Sequence, residues 1–223
     1  VILAEDKPRF GGSLLTSDVN IGNESGKEWA DKIITELKSM PNVVVKNRAQ
    51  VFGYYDHNML VMSERLTEHL PKSDKFTPKQ KLWYIRAKEV VISSGSIERP
   101  LVFGNNDTPG VLLSSAAKEY MKVYGVLVGK KPIIFTNNDS AYETAIEFKK
   151  NGVDPIVLDS RKELSSDLIK EAKSLGINIK FEYVVVNANG YRKVKSADIA
   201  KISDDKTTLG KIENIACDCI CVS

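Results

Sequence analysis

The chain opens on an apolar run, VILA at residues 1–4, that ends in Glu5 and Asp6 and leads through Lys7 and Pro8 to Gly11, Gly12 and Ser13. An acid at the carboxyl end of a buried parallel strand is where dinucleotide-binding folds accept the hydroxyls of an adenosine ribose. Glycines let backbone amides approach a ligand, and a serine hydroxyl serves phosphate or ribose. Such an acid ordinarily lies about 20 residues after a glycine-rich phosphate loop, yet nothing precedes it here and the first residue is not Met. The expectation is a fragment whose first strand, phosphate loop and helix lie upstream. Two plainer readings stay open: solvation of an acidic pair at a strand end, and a tight turn that alone needs the glycines.

A second set of candidates begins at PIIFT, residues 132–136, followed by Asn137-Asn138-Asp139-Ser140. A phosphate-binding loop at this place should carry glycines ahead of the helix N-terminus. Here Asp139 or Ser140 is expected to cap the helix, and the Asp carboxylate would stand beside any anion. No dinucleotide is therefore expected in this second unit, although Asp159, which ends VDPIVLD, has the position of a ribose acid.

The other reactive side chains form no catalytic set. Cys217, Cys219 and Cys221 alternate in ACDCICV, so on one strand all three thiols would line one side, too close for a disulfide framework. The only histidines are His57 and His69, which leaves a metal site without well-spaced ligands. Tyr55-Asp56-His57 reads as a turn rather than a general base, and no nucleophile motif accompanies it. No catalytic residue and no metal ligand is assigned.

The elements that must position these residues follow from pattern. At 223 residues, with 42% hydrophobic and 27% charged side chains and a net charge of +3, the chain has average globular composition and no basic block that would imply nucleic acid. No run approaches the about 20 apolar residues of a membrane span, and the acidic start is unlike a signal peptide, so a cytoplasmic address is expected. Trp29, Ile33, Ile34 and Leu37 predict an amphipathic helix over 24–39. VVVK at 43–46 reads as a strand, AQVFGYYD and NMLVMSER as a small antiparallel meander, and VVIS at 90–93 as a further strand. The turn-rich ERPLVFGNNDTPG marks a boundary. PIIFT, a helix over 140–150 and VDPIVLD make a βαβ unit, a helix follows near 162–175, and INIKFEYVVV faces YRKVKSADIAKI across a hairpin at 187–190. A turn at DDKTTLGK then leads to the strand IACDCICVS, where the chain is again expected to be cut.

Four stretches, VILAEDKPRFGGSLL, VFGYYDHNMLVMSERLTEHLP, the run from RAKEVVISSG to MKVYGV, and PIIFTNNDSAYETAIEFKKNGV, resemble the alpha subunit of heterotetrameric sarcosine oxidase. SSGSIERPLVF is also similar to alpha subunits of proline dehydrogenase and hydrogen cyanide synthase, where the Ser-Ser pair is usually Ala-Thr. The resemblance implies an α/β, three-layer fold of the two-dinucleotide-domain, FAD/NAD-linked reductase type, with residues 1–106 in a partial first domain, 107–214 in a degenerate second domain, and 215–223 returning to the first. It implies an oxidase complex with beta, gamma and delta partners, FAD in beta, FMN at the alpha–beta boundary, and tetrahydrofolate served by a C-terminal domain absent here. NAD would lie in alpha, at Glu5, Asp6 and Lys7, at Gly12 and Ser13 after the turn, and at Gln50 and Val51 near the adenine. The fragment alone would be inactive. The alternative is a non-catalytic scaffold in one of the related amine-dehydrogenase complexes.

Overall fold

A computed structural model describes residues 1–73, 75–203 and 207–223. They form two compact units, Val1–Gly95 and Ser96–Ser223. The division falls ahead of the boundary expected at residue 106, because Leu101 and Phe103 pack into the core of the second unit, Phe103 edge-on to Phe135 with ring centres 5.9 Å apart.

In the first unit, β1 (Ile2–Ala4) is followed by the two-residue strands β2 (Asn20–Ile21) and β3 (Glu24–Ser25), helix α1 (Gly26–Ser39) and β4 (Val44–Lys46), which pairs in parallel with β1. The start of α1 is set by a capping box: the Ser25 hydroxyl accepts the Glu28 amide, and the Glu28 carboxylate accepts the Ser25 amide. β5 (Ala49–Tyr55), β6 (Met59–Arg65) and β7 (Gln80–Arg86) form the expected antiparallel meander, turning at Asp56–Asn58 with His57 in a left-handed conformation. Residues 90–93, expected as a strand, do not pair. β1 bonds only to β4, residues 90–93 join neither edge of that sheet, and Val91 and Ile92 stand 87% and 71% exposed.

The second unit is three-layered. β8 (Val111–Leu113), helix α2 (Ser114–Tyr124), β9 (Pro132–Thr136), helix α3 (Ser140–Lys150), β10 (Ile156–Asp159), helix α4 (Asp167–Ser174) and β11 (Asn178–Phe181) precede a meander of β12 (Tyr183–Gly190), β13 (Val194–Lys201) and β14 (Glu213–Ala216), and β15 (Cys219–Val222) follows. A five-stranded sheet, parallel throughout, runs β11-β10-β9-β15-β8. Alternation along β9 puts Ile134 under the helices and Ile133 and Phe135 under the meander, so one sheet separates two apolar layers.

Four sequence expectations change here. β15 does not return to the first domain: it inserts between β9 and β8, where Ile220 and Val222 meet the meander and Cys219 and Cys221 meet the helices. The three thiols do not share a face, because the chain breaks between β14 and β15: the Asp218 carboxylate accepts the Lys130 and Lys131 amides, and Cys217 turns to the meander side. The run INIKFEYVVV splits at Glu182, whose φ of +60° ends β11 and starts β12. Residues 187–190 belong to β12, so the hairpin turns beyond them. β8 and α2 were not foreseen. The expected turn at 204–211 lies partly outside the described residues, at 204–206.

Gly190 shows how tightly that hairpin is drawn: its φ is +153°, and a Cβ would lie 2.0 Å from the Lys193 carbonyl oxygen. Gly190→Ala is expected to cost about 1–3 kcal/mol, read as a lower urea midpoint at unchanged slope. A midpoint equal to the parent's would mean the hairpin relaxes around the methyl.

Candidate functional site

In the first unit the candidate residues fall into two groups. Glu5, at the end of β1, donates its amide to the Lys46 carbonyl at 2.9 Å and accepts the Ala49 amide on its own carbonyl at 2.8 Å. Arg48 donates its amide to the Lys7 carbonyl at 3.0 Å, and the Arg65 guanidinium donates to the Asp6 carbonyl at 2.5 Å. The turn Glu5-Asp6-Lys7 is thereby stitched to the start of β5, where Gln50 and Val51 follow, Val51 being 42% exposed. The Glu5 carboxylate is half-buried and accepts the Lys7 amide through Oε1 at 3.1 Å. Burial and the adjacent Asp6 carboxyl hold Glu5 above the ordinary carboxyl range, against the lowering pull of the Lys7 amide. The neighbouring Asp6 also hydrogen-bonds to the Glu5 carboxyl, and a carboxylate has lone pairs enough to accept a ribose hydroxyl besides.

The second group is the turn Gly11-Gly12-Ser13, the start of a single 3-10 turn, Gly12–Leu15. Gly11, at φ +122°, packs against Leu15 and Ala30, and its carbonyl accepts the Leu14 amide at 2.9 Å. Gly12, at φ +51°, has no atom within 4 Å of the place a Cβ would take, so backbone is open to solvent there. Ser13 is exposed and uses its carbonyl, not its hydroxyl, to close the turn on Thr16 and Ser17. The donor set suits the adenosine half of a dinucleotide; no run of amides that could cradle a pyrophosphate stands beside it.

The second unit presents a cleft of about 590 Å³ at the carboxyl ends of β9 and β15, between Asn137, Asn138, Ser140 and Ser223 on one side and residues 96–102 on the other. This is the topological switch point of the sheet, where open α/β folds bind ligands. The helix amide there is already taken. Asn138 Oδ1 accepts the Ser140 amide at 3.0 Å and the Ser140 hydroxyl at 2.7 Å, while its Nδ2 donates to Ser223 Oγ at 2.9 Å. Neither Asp139 nor Ser140 makes the cap expected of it. Asp139 has no capping bond because its carboxylate accepts the Arg161 guanidinium at 2.8 Å, which holds the carboxyl below its ordinary range.

Asp159 is likewise committed. It is fully buried and accepts the Arg161 amide, Nε and Nη2 at 3.0, 3.0 and 2.7 Å and the Tyr142 hydroxyl at 2.8 Å. Burial and the Asp159 carboxylate push the Tyr142 hydroxyl far above its ordinary range, so it donates and does not ionise. Asn138 and Arg161 were missed in the sequence. Arg161, two residues beyond Asp159, was legible as a cation that could neutralise a strand-end acid; Asn138 carried no signal that separates it from Asp139. Among the described residues, no three His, Cys, Asp or Glu side chains gather at metal-binding distance. No helix among them is long and apolar enough to cross a membrane.

No family model matches the chain. Sarcosine oxidase subunit alpha of Rhizobium meliloti (strain 1021) is 34% identical over 224 residues, covering 100% of this chain and 22% of the relative. The same subunit from two Corynebacterium strains matches the whole chain at 31% and 32%. The chain thus spans less than a quarter of the length of these curated relatives. Among solved structures, thioredoxin reductase from T. acidophilum superposes with a TM-score of 0.67 at 14% identity, over 99% of this chain and 67% of that one. L-proline dehydrogenase from P. horikoshii gives 0.61 at 20% identity, over 99% and 36%. Along its whole length, then, the chain is similar to the sarcosine oxidase alpha subunits, and it shares the α/β fold of the thioredoxin reductase.

Proposed function

We propose that this chain is the NAD-binding part of the alpha subunit of an oxidoreductase complex of the sarcosine oxidase type. The observation that carries the reading is the uninterrupted match of the whole chain to three such subunits. In the complete complex sarcosine would be demethylated oxidatively to glycine, with hydrogen peroxide and methylene-tetrahydrofolate formed. FAD, FMN and the folate site belong to the beta subunit, the alpha–beta boundary and the remaining length of alpha, and gamma and delta complete a cytoplasmic assembly. The chain's own residues bind and orient; none is given a catalytic role.

Within the first unit, Glu5 is the acceptor for the ribose hydroxyls. Asp6 and Lys7 are its flanks on the same turn, Gln50 and Val51 offer backbone to the adenine, and the open backbone at Gly12 with the Ser13 hydroxyl meets the phosphate side. NAD, when bound, would supply hydride chemistry only if its nicotinamide reached a redox partner outside this chain. The domain plan that goes with this reading places the first strand and its phosphate loop upstream of residue 1.

The test uses the full-length alpha subunit with its upstream segment. Denaturation is expected to release NAD, and Glu5→Ala with Asp6→Ala is expected to lower the bound NAD at least about tenfold, as loss of a hydrogen bond to a charged group implies. Asp139→Ala should leave it unchanged. The reverse pattern would assign the nucleotide to the wrong unit. No NAD from the parent would favour a scaffold in an amine dehydrogenase complex, the reading that the likeness to the proline dehydrogenase fold supports.

A further inference from the structure

Helix α2 begins without a cap of its own: its N-cap residue is Leu113, which has no side-chain oxygen to offer. The cap comes from 17 residues upstream. Glu98 Oε2 accepts the Ser115 amide at 2.8 Å and the Ser115 hydroxyl at 2.6 Å. Among the described residues, this is the one hydrogen-bonded tether of the whole stretch 89–103, whose backbone makes no hydrogen bond to other backbone. Apolar burial does not replace it, since Ile97 and Val102 are 93% and 88% exposed. The stretch is anchored at its far end by Leu101 and Phe103 in the core, and midway along it stands Gly95, whose φ is +70° and around which nothing lies within 4 Å of a Cβ position.

We propose that residues 96–100 are a docking strap held by Glu98, and that the cleft at the strand ends is assembled when this carboxylate caps α2 and dismantled when it is withdrawn. Residues 96–102 supply one wall of the cleft; Asn137, Asn138, Ser140 and Ser223 supply the other and are fixed to the sheet by their own hydrogen bonds. A capping residue adjacent to Leu113 would stabilise the helix and nothing else. Because the acid is borne by the strap, the unsatisfied amide at the start of α2 is what brings the second wall into place. Glu98 is thus a positioning residue, and its role does not depend on the nucleotide assigned to the first unit.

The test compares the full chain with Glu98→Ala, Glu98→Gln and Ser115→Ala. Two rates are followed: amide hydrogen exchange at Ser115, and thermolysin cleavage ahead of Ile97, Leu101 and Val102, since trypsin does not cut Arg99-Pro100. In Glu98→Ala both rates are expected to rise at least tenfold while the Ile134 and Ile146 amides stay as protected as in the parent. Glu98→Gln should fall between, and Ser115→Ala, which keeps the amide bond to Glu98, should change cleavage less than threefold. Equal cleavage in parent and Glu98→Ala would overturn the proposal, as would loss of protection at Ile134 and Ile146 in step with the strap, which would make Glu98 a support of the whole unit.

Discussion

Asp159→Ala is expected to lower stability by about 3–5 kcal/mol. The change deletes a fully buried carboxylate that accepts four hydrogen bonds, three from Arg161 and one from Tyr142. Arg161 keeps only Asp139, and the Tyr142 hydroxyl, on a residue with no exposed surface, loses its acceptor. The loss falls on the seam between β10 and α3, since Tyr142 belongs to the helix and Asp159 to the strand. Urea unfolding followed by far-ultraviolet circular dichroism measures it. A companion Arg161→Leu removes the two guanidinium bonds but keeps the residue-161 amide and Tyr142 on Asp159; with the carboxylate left buried and without its cation, comparable damage is expected. An Asp159→Ala midpoint within experimental error of the parent's would refute the claim that this network holds the second unit together.

Glu64→Ala is expected to cost about 2–3 kcal/mol in the first unit. Glu64, with only 11% of its side chain exposed, accepts Lys46 Nζ on one oxygen at 2.9 Å and Trp83 Nε1 on the other at 2.8 Å, while Lys81 lies 3.8 Å from the centre of the Trp83 ring. Removing it leaves an ammonium and an indole N–H without their acceptor, and the Trp83 emission should shift as its hydrogen bond goes. Burial works to raise the Glu64 carboxyl, but the Lys46 and Trp83 hydrogen bonds outweigh it, so it is held below the ordinary value. The sign of the pH effect follows from that depression. The stabilisation is fully present above the unfolded value of about 4.3 and disappears as pH falls through the lower folded value. Glu5, held above its ordinary value, contributes in the opposite sense, its ionised form being the less favourable one in the fold. Parallel acid titrations of the parent and Glu64→Ala should therefore converge at low pH; curves that stay separated there would remove the carboxylate from the explanation.

Sequence pattern revealed most clearly those elements whose signals are local. α1 announces itself by Ser25, Glu28 and the apolar spacing of Trp29, Ile33, Ile34 and Leu37, and the alternation in residues 49–65 is that of a two-sided strand pair. What escaped depends on partners distant in sequence. Residues 90–93 have every property of a buried strand except a neighbour to bond with, and composition does not say whether an edge is available. ACDCICV looks like one strand until Asp218 is drawn aside by the amides of Lys130 and Lys131. α2 was overlooked because its cap is Glu98 rather than a residue just before its first turn. The candidate site divides in the same way. Glu5 and Gly12 were visible as types in the right order, whereas the tie of Glu5-Asp6-Lys7 to β5, and the use of Asn138 instead of Asp139 at α3, rest on contacts that spacing does not reveal.

The insertion of β15 between β9 and β8 has a consequence for biosynthesis. A nascent chain emerging at about 5–20 residues per second exposes the first two of these strands several seconds before the one that must lie between them. Through that interval Ile133 and Phe135 have an open flank, and direct pairing of β8 with β9 would be a trap in which the late strand finds no place. Correct assembly therefore requires that the flank stay apart until translation has passed Val222, and folding slower than that of a sheet of sequence-consecutive strands is the expected consequence of this topology.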